Sequence, residues 1–278
     1  MSSTSKIAVN AWEFPGIVLE HYAYSAGTVA PLPPHAHPEY QFGLSFNCQG
    51  EYTYRGAVHP IPTGTLSLIH TGEAHAPSQR TSLPAPATFW MMQIDPSVME
   101  RAALEVTGMP TTPFVPALFL SDHDLVQRLL VFCRRVASDA SRLEQDVALI
   151  HFLAPLLTRH AEGCLDAVKA PVHRPSVAKV RDFLQTHYSK NTSLTDLATL
   201  SGMSRFHLSR IFRQETGLSL SAYQQQLRVN QAKKLLVRGL SISEAAAAVG
   251  FYDQSHLGRH FKRLIGVTPG AYTRYHTA

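Results

Sequence analysis

The C-terminal part of the sequence repeats a pattern at a fixed offset of 49 positions, and this repeat limits what the chain can form. The matched residues are His207-Leu208 with His256-Leu257, Arg210 with Arg259, Phe212 with Phe261, Gly217 with Gly266 and Tyr223 with Tyr272. So many identities at one offset indicate two copies of one structural unit. The alternative is a duplicated hairpin used only for packing, but a helical solenoid needs at least about three stacked repeats.

Each copy contains one helix with an apolar side and a basic side, as expected for a period of about 3.6 residues. The expected inward residues are Leu208, Ile211 and Phe212 in the first copy, then Leu257, Phe261 and Leu264 in the second. The expected outward residues are Phe206, Ser209, Arg210 and Arg213, then Gln254, Ser255, Arg259 and Lys262. Arg and Gln recognise guanine and adenine edges in the DNA major groove, so these faces favour nucleic-acid binding over packing.

A shorter helix and a glycine-containing turn precede each of these helices, which is typical of a helix-turn-helix unit. We expect the short helices over 195–200 and 243–249, the second with Ser243 as its N-cap. Between the copies, residues 219–237 predict a helix of about 28 Å at about 1.5 Å per residue. Such a helix suits the ~34 Å between successive major-groove faces on one side of DNA.

The charge is distributed unevenly, which supports a polyanionic partner for the C-terminal part. Residues 1–170 hold 10 Lys and Arg against 15 Asp and Glu, whereas residues 171–278 hold 15 against 5. The first part therefore carries −5 and the second +10, which together give the net +5 of the chain. A basic half joined to an acidic half favours nucleic acid over a merely solvated surface.

Residues 7–95 combine short β-prone runs with Pro and Gly turns, which favours a sandwich or barrel. We expect strands at 17–24, 40–46, 51–55 and 88–94, and helices at 98–106, 122–137 and 142–164. The last helix carries an apolar stripe of Val147, Ile150, Leu153, Ala154 and Leu157. This stripe predicts either packing against the strands or a dimerisation seam.

Residues 169–175 contain two prolines and predict an extended linker. The chain is thus expected to divide into an N-terminal domain over 7–168 and a C-terminal domain over 174–275. The predicted fold class is α+β, with a cupin-like β-barrel and helices followed by an all-α domain with two helix-turn-helix units.

The C-terminal repeat resembles the AraC/XylS family of transcription regulators. The matching segments are Gly250-Phe251-Tyr252-Asp253-Gln254-Ser255-His256-Leu257-Gly258-Arg259 with its continuation to Lys262, Gly266-Val267-Thr268-Pro269, and residues 201–217 of the first copy. The resemblance implies two helix-turn-helix units in adjacent major-groove segments. It implies base-facing positions for Phe206, Ser209 and Arg210, then for Gln254, Ser255 and Arg259. Arg213 and Lys262 are expected to meet phosphates, which set register, and Arg205 and His256 complete the predicted DNA-binding set.

The N-terminal part resembles the cupin-like ligand-binding domain of the same family. His35-Ala36-His37 before a strand, Pro62-Thr63-Gly64 and Gly72-Glu73-Ala74-His75 carry this resemblance over about residues 10–95. It implies a barrel that holds a small-molecule effector. The residues predicted to line or neighbour that pocket are His35, His37, Tyr40, Gln41 and His75.

The barrel also raises the hypothesis of an enzyme, since catalytic cupins bind a metal with two His, a Glu and a third His. His35 and His37 fit the first pair, but Gln41 and Ser67 occupy the expected Glu and third-His positions. Glu39, His70 and His75 would substitute only by changing the geometry. We therefore predict no enzymatic activity, no metal site and no cofactor.

The three cysteines, Cys48, Cys133 and Cys164, fit no metal or disulfide spacing. The N-terminus lacks the order of a signal peptide, and no apolar stretch is long enough to span a bilayer. We expect a cytoplasmic protein without membrane contact.

Together these features predict a sequence-specific DNA-binding regulator, most simply a small-molecule-responsive activator. The expected partners are double-stranded DNA, an effector, RNA polymerase and a second copy of the chain. Two alternatives are a metal-dependent cupin enzyme with a DNA-binding appendage and a ligand-independent DNA-binding protein whose barrel only dimerises.

Overall fold

The computed structural model describes residues 4–30, 32–47, 50–78, 83–108, 110–138, 140–162 and 175–273. The strands are β1 (Ile7–Phe14), β2 (Ile17–Tyr24), β3 (Tyr40–Leu44), β4 (Glu51–Tyr54), β5 (Ala57–Pro60), β6 (Leu66–Ile69), β7 (His75–Ser78), β8 (Ala87–Ile94) and β9 (Phe119–Leu120). The helices are α1 (Pro96–Thr107), α2 (His123–Val136), α3 (Arg142–Arg159), α4 (Pro175–Thr186), α5 (Leu194–Ser201), α6 (Arg205–Thr216), α7 (Leu220–Val237), α8 (Ile242–Ala248), α9 (Gln254–Ile265) and α10 (Pro269–Thr273). The predicted α+β class, with strands and helices followed by an all-helical C-terminal part, is confirmed.

The strands form two antiparallel sheets. The larger sheet has the order β1-β2-β8-β3-β6-β9, and the smaller sheet has the order β5-β4-β7. In β2, Leu19 pairs with Met92 of β8 and Tyr22 pairs with Phe89. Because side chains alternate along a strand, these two pairs lie on opposite faces of the sheet.

One face of the larger sheet packs on α2 and α3, and the opposite face packs on the C-terminal helices. Leu19, Phe42 and Met92 share a buried core with Phe132 of α2 and Phe152 of α3. The second core unites Val9, Ala11, Tyr22 and Phe89 of the sheet with Val229, Ala232, Phe261 and Tyr272 of the C-terminal helices. The sheet is therefore buried on both sides, and the C-terminal helices depend on it for part of their core.

Helix α7 and its C-cap residue Arg238 supply the cations of the ion pairs that join them to the N-terminal part. Lys233 Nζ lies 3.0 Å from Glu20, and both side chains are almost fully buried, at 2% and 0% exposure. Lys234 pairs with Glu39 at 2.8 Å, and Arg238 pairs with Glu13. The Tyr272 hydroxyl of α10 also donates to Glu20, at 2.6 Å. The acidic N-terminal part and the basic C-terminal part thus neutralise each other along this helix.

The helix boundaries confirm most of the sequence-based predictions and correct one cap. The predicted helix at 243–249 is α8, but its N-cap is Ser241 rather than Ser243. Ser241 accepts a hydrogen bond from the Glu244 backbone N–H, and the Glu244 carboxylate accepts one from the Ser241 backbone. The Ser-x-x-Glu spacing of a capping box was present in the sequence and identifies this start.

The apolar stripe of α3 is divided between two environments. Leu153 and Leu157 are buried in the core with the sheet, whereas Val147 and Ile150 are 43% and 51% exposed. The predicted core packing therefore holds for the C-terminal half of the stripe, and its first half remains on the surface.

Most of the predicted linker, together with Cys48 and Cys164, lies outside the described residues. Cys133 is buried in the core, and this burial raises the pKa of its thiol. The nucleophilic thiolate form is therefore disfavoured. Across the described ranges, no helix has the length and apolarity that a membrane crossing requires.

We expect Lys233→Ala to destabilise the protein by about 3–5 kcal/mol, because it leaves the Glu20 carboxylate buried without a counter-charge. Urea unfolding at neutral pH measures this loss. The double variant Glu20→Gln/Lys233→Met should recover most of it, since it removes both buried charges together. Lys179→Ala, on the exposed side of α4, is the control and should change stability by less than about 0.5 kcal/mol. Equal stability of Lys233→Ala and the wild type would contradict the role given to this pair.

Candidate nucleic-acid interface and cavity

The first helix-turn-helix unit consists of α5, a turn and α6. Gly202 ends α5 in the left-handed conformation at φ 68, and Ser204 caps α6 by accepting a hydrogen bond from the His207 backbone N–H. The predicted inward residues Leu208, Ile211 and Phe212 are buried. Among the predicted outward residues, Arg205, Arg210 and Arg213 are exposed and Ser209 is half-buried, while the Phe206 side chain lies outside the described residues.

The second unit consists of α8, a turn and α9. Gly250 has φ 85, and a Cβ atom there would lie 2.1 Å from the Ser189 carbonyl oxygen, so the turn requires glycine for two reasons. Asp253 caps α9 by accepting a 2.7 Å hydrogen bond from the His256 backbone N–H. The predicted inward residues of α9 are buried, and the exposed ones are Gln254, Ser255, Arg259 and Lys262.

His256 differs from the other predicted DNA-binding residues because its ring contacts the protein. Its centroid lies 5.1 Å from that of Phe251 and 5.0 Å from that of His260. The imidazole is half-buried in this aromatic group, which fixes the turn before α9. Tyr252, in the same turn, is 93% exposed, although its place in the sequence did not predict a role for it.

Arg228 of α7 joins the segment between α4 and α5 to the turn of the second unit, and the sequence did not point to this role. Its guanidinium donates to the carbonyl oxygens of Tyr188 and Gly250, each at 2.7 Å, and to that of Lys190 at 3.0 Å. Tyr188 and Lys190 follow α4, whereas Gly250 belongs to the turn of the second unit. An arginine has five N–H donors in a rigid fork, so one side chain joins both segments. The residues around Arg228 in the sequence do not distinguish it from a surface arginine.

A cavity lies between the N-terminal sheets and the C-terminal helices. It encloses roughly 700 Å³ of space outside protein atoms, part of which opens to solvent. His35, His37, Gln41 and His75 line it, as do aromatic and apolar side chains of the strands. The C-terminal helices supply the remaining wall with Gln226, Asn230, Lys233, Leu264 and Ile265.

The structure separates Tyr40 from the other four predicted cavity residues. Tyr40 and Gln41 are neighbours in β3, so their side chains lie on opposite faces of the sheet. Gln41 faces the cavity, whereas the Tyr40 hydroxyl donates to the Pro113 carbonyl oxygen at 2.9 Å, within the core formed with α2 and α3. Strand alternation excludes a pocket that both residues line.

Three imidazoles meet in the cavity. The ring centroid of His35 lies 4.2 Å from that of His75 and 6.2 Å from that of His37, and His37 and His75 are 5.1 Å apart. The Nδ1 atoms of His35, His37 and His75 face the backbone carbonyl oxygens of Pro33, Glu39 and Glu73 respectively. Burial lowers the pKa of all three, that of His35 to about 4. Burial therefore favours the neutral form of each ring.

The arrangement does not fit the metal site of a catalytic cupin. Gln41 places its amide between His37 and His75, 3.0 Å and 3.3 Å from their Nε2 atoms. The Glu39 carboxylate forms an ion pair with Lys234, and His70 Nε2 faces the Val115 carbonyl oxygen at 2.8 Å. Within the described ranges no three His, Cys, Asp or Glu residues are grouped to hold a metal ion.

Comparison with known proteins supports a ligand-binding domain followed by a helix-turn-helix domain. A model of the AraC-like ligand binding domain matches residues 19–153, and a model of a helix-turn-helix domain matches residues 197–275. The HTH-type transcriptional regulator YbfI of Bacillus subtilis is 30% identical over 246 residues, which cover 87% of each chain. The chain is an AraC-family transcriptional regulator. This family is not enzymatic, which removes the cupin enzyme from consideration.

Two further comparisons concern this regulator. The lactose operon transcription activator of Staphylococcus xylosus is 20% identical over 239 residues, covering 82% of this chain and 81% of that protein. The crystal structure of ToxT from Vibrio cholerae matches with a TM-score of 0.60 and 11% identity, over 94% of this chain and 98% of that one. The ToxT likeness shows that the regulator shares the fold of both parts.

We expect the regulator to lose stability as the pH falls from about 6.5 to about 4. The folded-state pKa of His35 is depressed, so the unfolded chain binds the proton first and protonation favours unfolding. His35 contributes at most about 1.4 kcal/mol per pH unit, because one imidazole takes up one proton. Thermal unfolding across this range measures the effect. His35→Gln should show a shallower decline than His59→Gln, the control in β5, and equal slopes for both variants would contradict the prediction.

Proposed function

We propose that this AraC-family regulator is an activator that binds a specific DNA site through both helix-turn-helix units and responds to a small molecule in the cavity. The observation that carries the proposal concerns α7. This helix connects the two units, and it also supplies Gln226, Asn230 and Lys233 to the cavity wall. A ligand in the cavity therefore contacts the element that sets the distance between the two DNA-binding helices.

The side chains predicted to face DNA are exposed to solvent. Arg205, Arg210, Arg213, Arg259 and Lys262 are exposed although α7 is packed on the N-terminal part. This exposure argues against steric occlusion of these faces as the means of control. An effector instead acts by favouring one arrangement of α7 and its partners over another, which requires a different affinity for the two arrangements.

Hydrogen bonds between α7 and the segment before β3 are the contacts that such a change would rearrange. Gln226 Oε1 accepts from the Ala36 backbone N–H at 2.8 Å, and its Nε2 donates to the Pro34 carbonyl oxygen at 3.1 Å. These contacts lie one residue from His35 and His37, which line the cavity. A ligand that displaces this segment therefore acts on α7 directly.

The output as an activator rests on the family and on the relative named as an activator. Activation implies contact with RNA polymerase, and we place the protein in the cytoplasm with the DNA. We assign homodimerisation to the exposed half of the α3 stripe, Val147 and Ile150. The ligand-independent alternative is distinguished by an effector that changes DNA affinity.

We expect the double variant Arg210→Ala/Arg259→Ala to lose selection among DNA fragments, at a cost of about 1–3 kcal/mol for each guanine contact removed. Binding to genomic fragments, including the region upstream of the protein's own coding sequence, measures this selection. Arg134→Ala, an exposed arginine of α2, is the matched control and should select fragments as the wild type does. Equal selection by the double variant and the wild type would show that these arginines do not read bases.

We expect Arg213→Ala/Lys262→Ala to weaken binding to all fragments by a similar factor, because phosphate contacts carry no sequence information. Affinity measured over a salt series gives the number of phosphates that the protein neutralises. The slope of log affinity against log salt should become shallower by about 0.9 for each phosphate that the variant no longer neutralises. An unchanged slope would place these two side chains away from the DNA backbone.

A further inference from the structure

Gln41 links two cavity histidines into one hydrogen-bonded chain. The His37 Nδ1 atom lies 2.8 Å from the Glu39 carbonyl oxygen, and the His75 Nδ1 atom lies 3.1 Å from the Glu73 carbonyl oxygen. Their Nε2 atoms face opposite ends of the Gln41 amide, at 3.0 Å and 3.3 Å. The chain therefore runs from one backbone carbonyl, through His37, Gln41 and His75, to another.

The His37–Gln41–His75 hydrogen-bonded chain lacks one proton when both histidines are neutral. A carbonyl oxygen only accepts, so each Nδ1 atom must carry its proton. His37 Nε2 faces the Gln41 oxygen, and to donate to it His37 would need a second proton, which would make it an imidazolium. Turning the amide over moves the same requirement to His75, so it does not depend on which amide atom is oxygen.

The protein groups around the chain do not favour that extra proton. Burial lowers the pKa of both rings, Lys233 lowers that of His37 further, and the neighbouring imidazoles lower that of His75, whereas Glu39 raises the pKa of His37. The other titratable groups around the chain are His35, Glu73, Tyr52, and the ion pairs Glu20–Lys233 and Glu39–Lys234. Glu73 is paired with Arg55 at 2.6 Å, and all three ion pairs are neutral as units, so they supply no net negative charge for an imidazolium.

An anion in the cavity would supply the negative charge that stabilises an imidazolium. Among the described residues that line the cavity there is no carboxylate, and the charged side chain there is Lys233. Tyr22, Phe89, Met91 and Leu264 form apolar walls that suit an organic group rather than an inorganic ion. A single negative charge matches the single proton that the chain lacks, whereas a phosphate dianion would exceed it.

We propose that the effector of this regulator is a small organic monocarboxylate, whose binding is coupled to the uptake of one proton by the His37–Gln41–His75 chain. This inference rests on the proposed effector role of the cavity. It adds the chemical class of the ligand and the uptake of one proton when that ligand binds.

Calorimetry on the full chain tests the proposal with matched pairs of compounds. The probes are monocarboxylates from acetate to decanoate and phenylacetate, each beside its uncharged primary amide, with inorganic phosphate as the control anion. We expect carboxylates to bind in preference to their amides and to phosphate. Titrations in two buffers of different ionisation enthalpy should show uptake of about one proton for each ligand bound. Carboxylate affinity should fall about tenfold for each pH unit above the pKa of the occupied chain.

The Gln41→Glu variant places a negative charge inside the chain itself. It should hold the proton without a ligand and lower carboxylate affinity about tenfold or more, through repulsion between like charges. Gln127→Glu, the same change at an exposed position of α2, is the matched control and should bind as the wild type does. Gln41→Leu removes the amide oxygen that demands the proton, so any carboxylate it binds should bind without proton uptake.

Equal binding of amides and carboxylates, or carboxylate binding without proton uptake by the wild type, would overturn the proposal. Failure of the whole carboxylate series would overturn it as well, because acetate carries the recognised group and is smaller than the free space. Each of these results leaves the DNA-fragment selection of the wild type unchanged. Loss of that selection would instead refute the proposed regulatory function.

Discussion

The structure depends on a buried ion pair between the two parts of the chain. Lys233 of α7 and Glu20 of β2 lie 3.0 Å apart in an interior that admits neither charge alone. Tyr272 adds a hydrogen bond to the same carboxylate, and Gln93 accepts a further one from Lys233 at 3.2 Å. Because removal of either charge strands the other, this contact fixes α7 on the sheet, and with it the cavity wall and the spacing of both helix-turn-helix units.

This dependence changes how the two functions of an AraC-family regulator relate to each other. Two separate domains joined by a linker would keep effector binding and DNA binding apart. Here the second core includes residues of the sheet and of α7, α8 and α9. The cavity takes lining residues from the same two sources, so the proposed ligand site and the DNA-binding part share side chains rather than only a connection.

Much of this molecule could be predicted from its sequence, and the failures have physical reasons. The repeat predicted both helix-turn-helix units because the spacing of Leu208, Phe212, Leu257 and Phe261 is a local property of each helix. Tyr40 does not line the cavity, because neighbouring residues of a strand face opposite ways and Gln41 is the one of the two that faces it. The Gln226 and Lys233 walls of the cavity could not be predicted, since they depend on contacts between residues about 200 positions apart, of the kind Lys233 makes with Glu20.

The placement of the cations on α7 has a consequence for the C-terminal part taken by itself. Lys233, Lys234 and Arg238 pair with Glu20, Glu39 and Glu13 of the acidic N-terminal part. A fragment that begins at α4 would uncover these charges and present a second basic surface to any polyanion. Its attraction to arbitrary DNA would therefore exceed that of the full chain. In the full chain, the carboxylates of the N-terminal part would offset these charges and so limit attraction to DNA of any sequence.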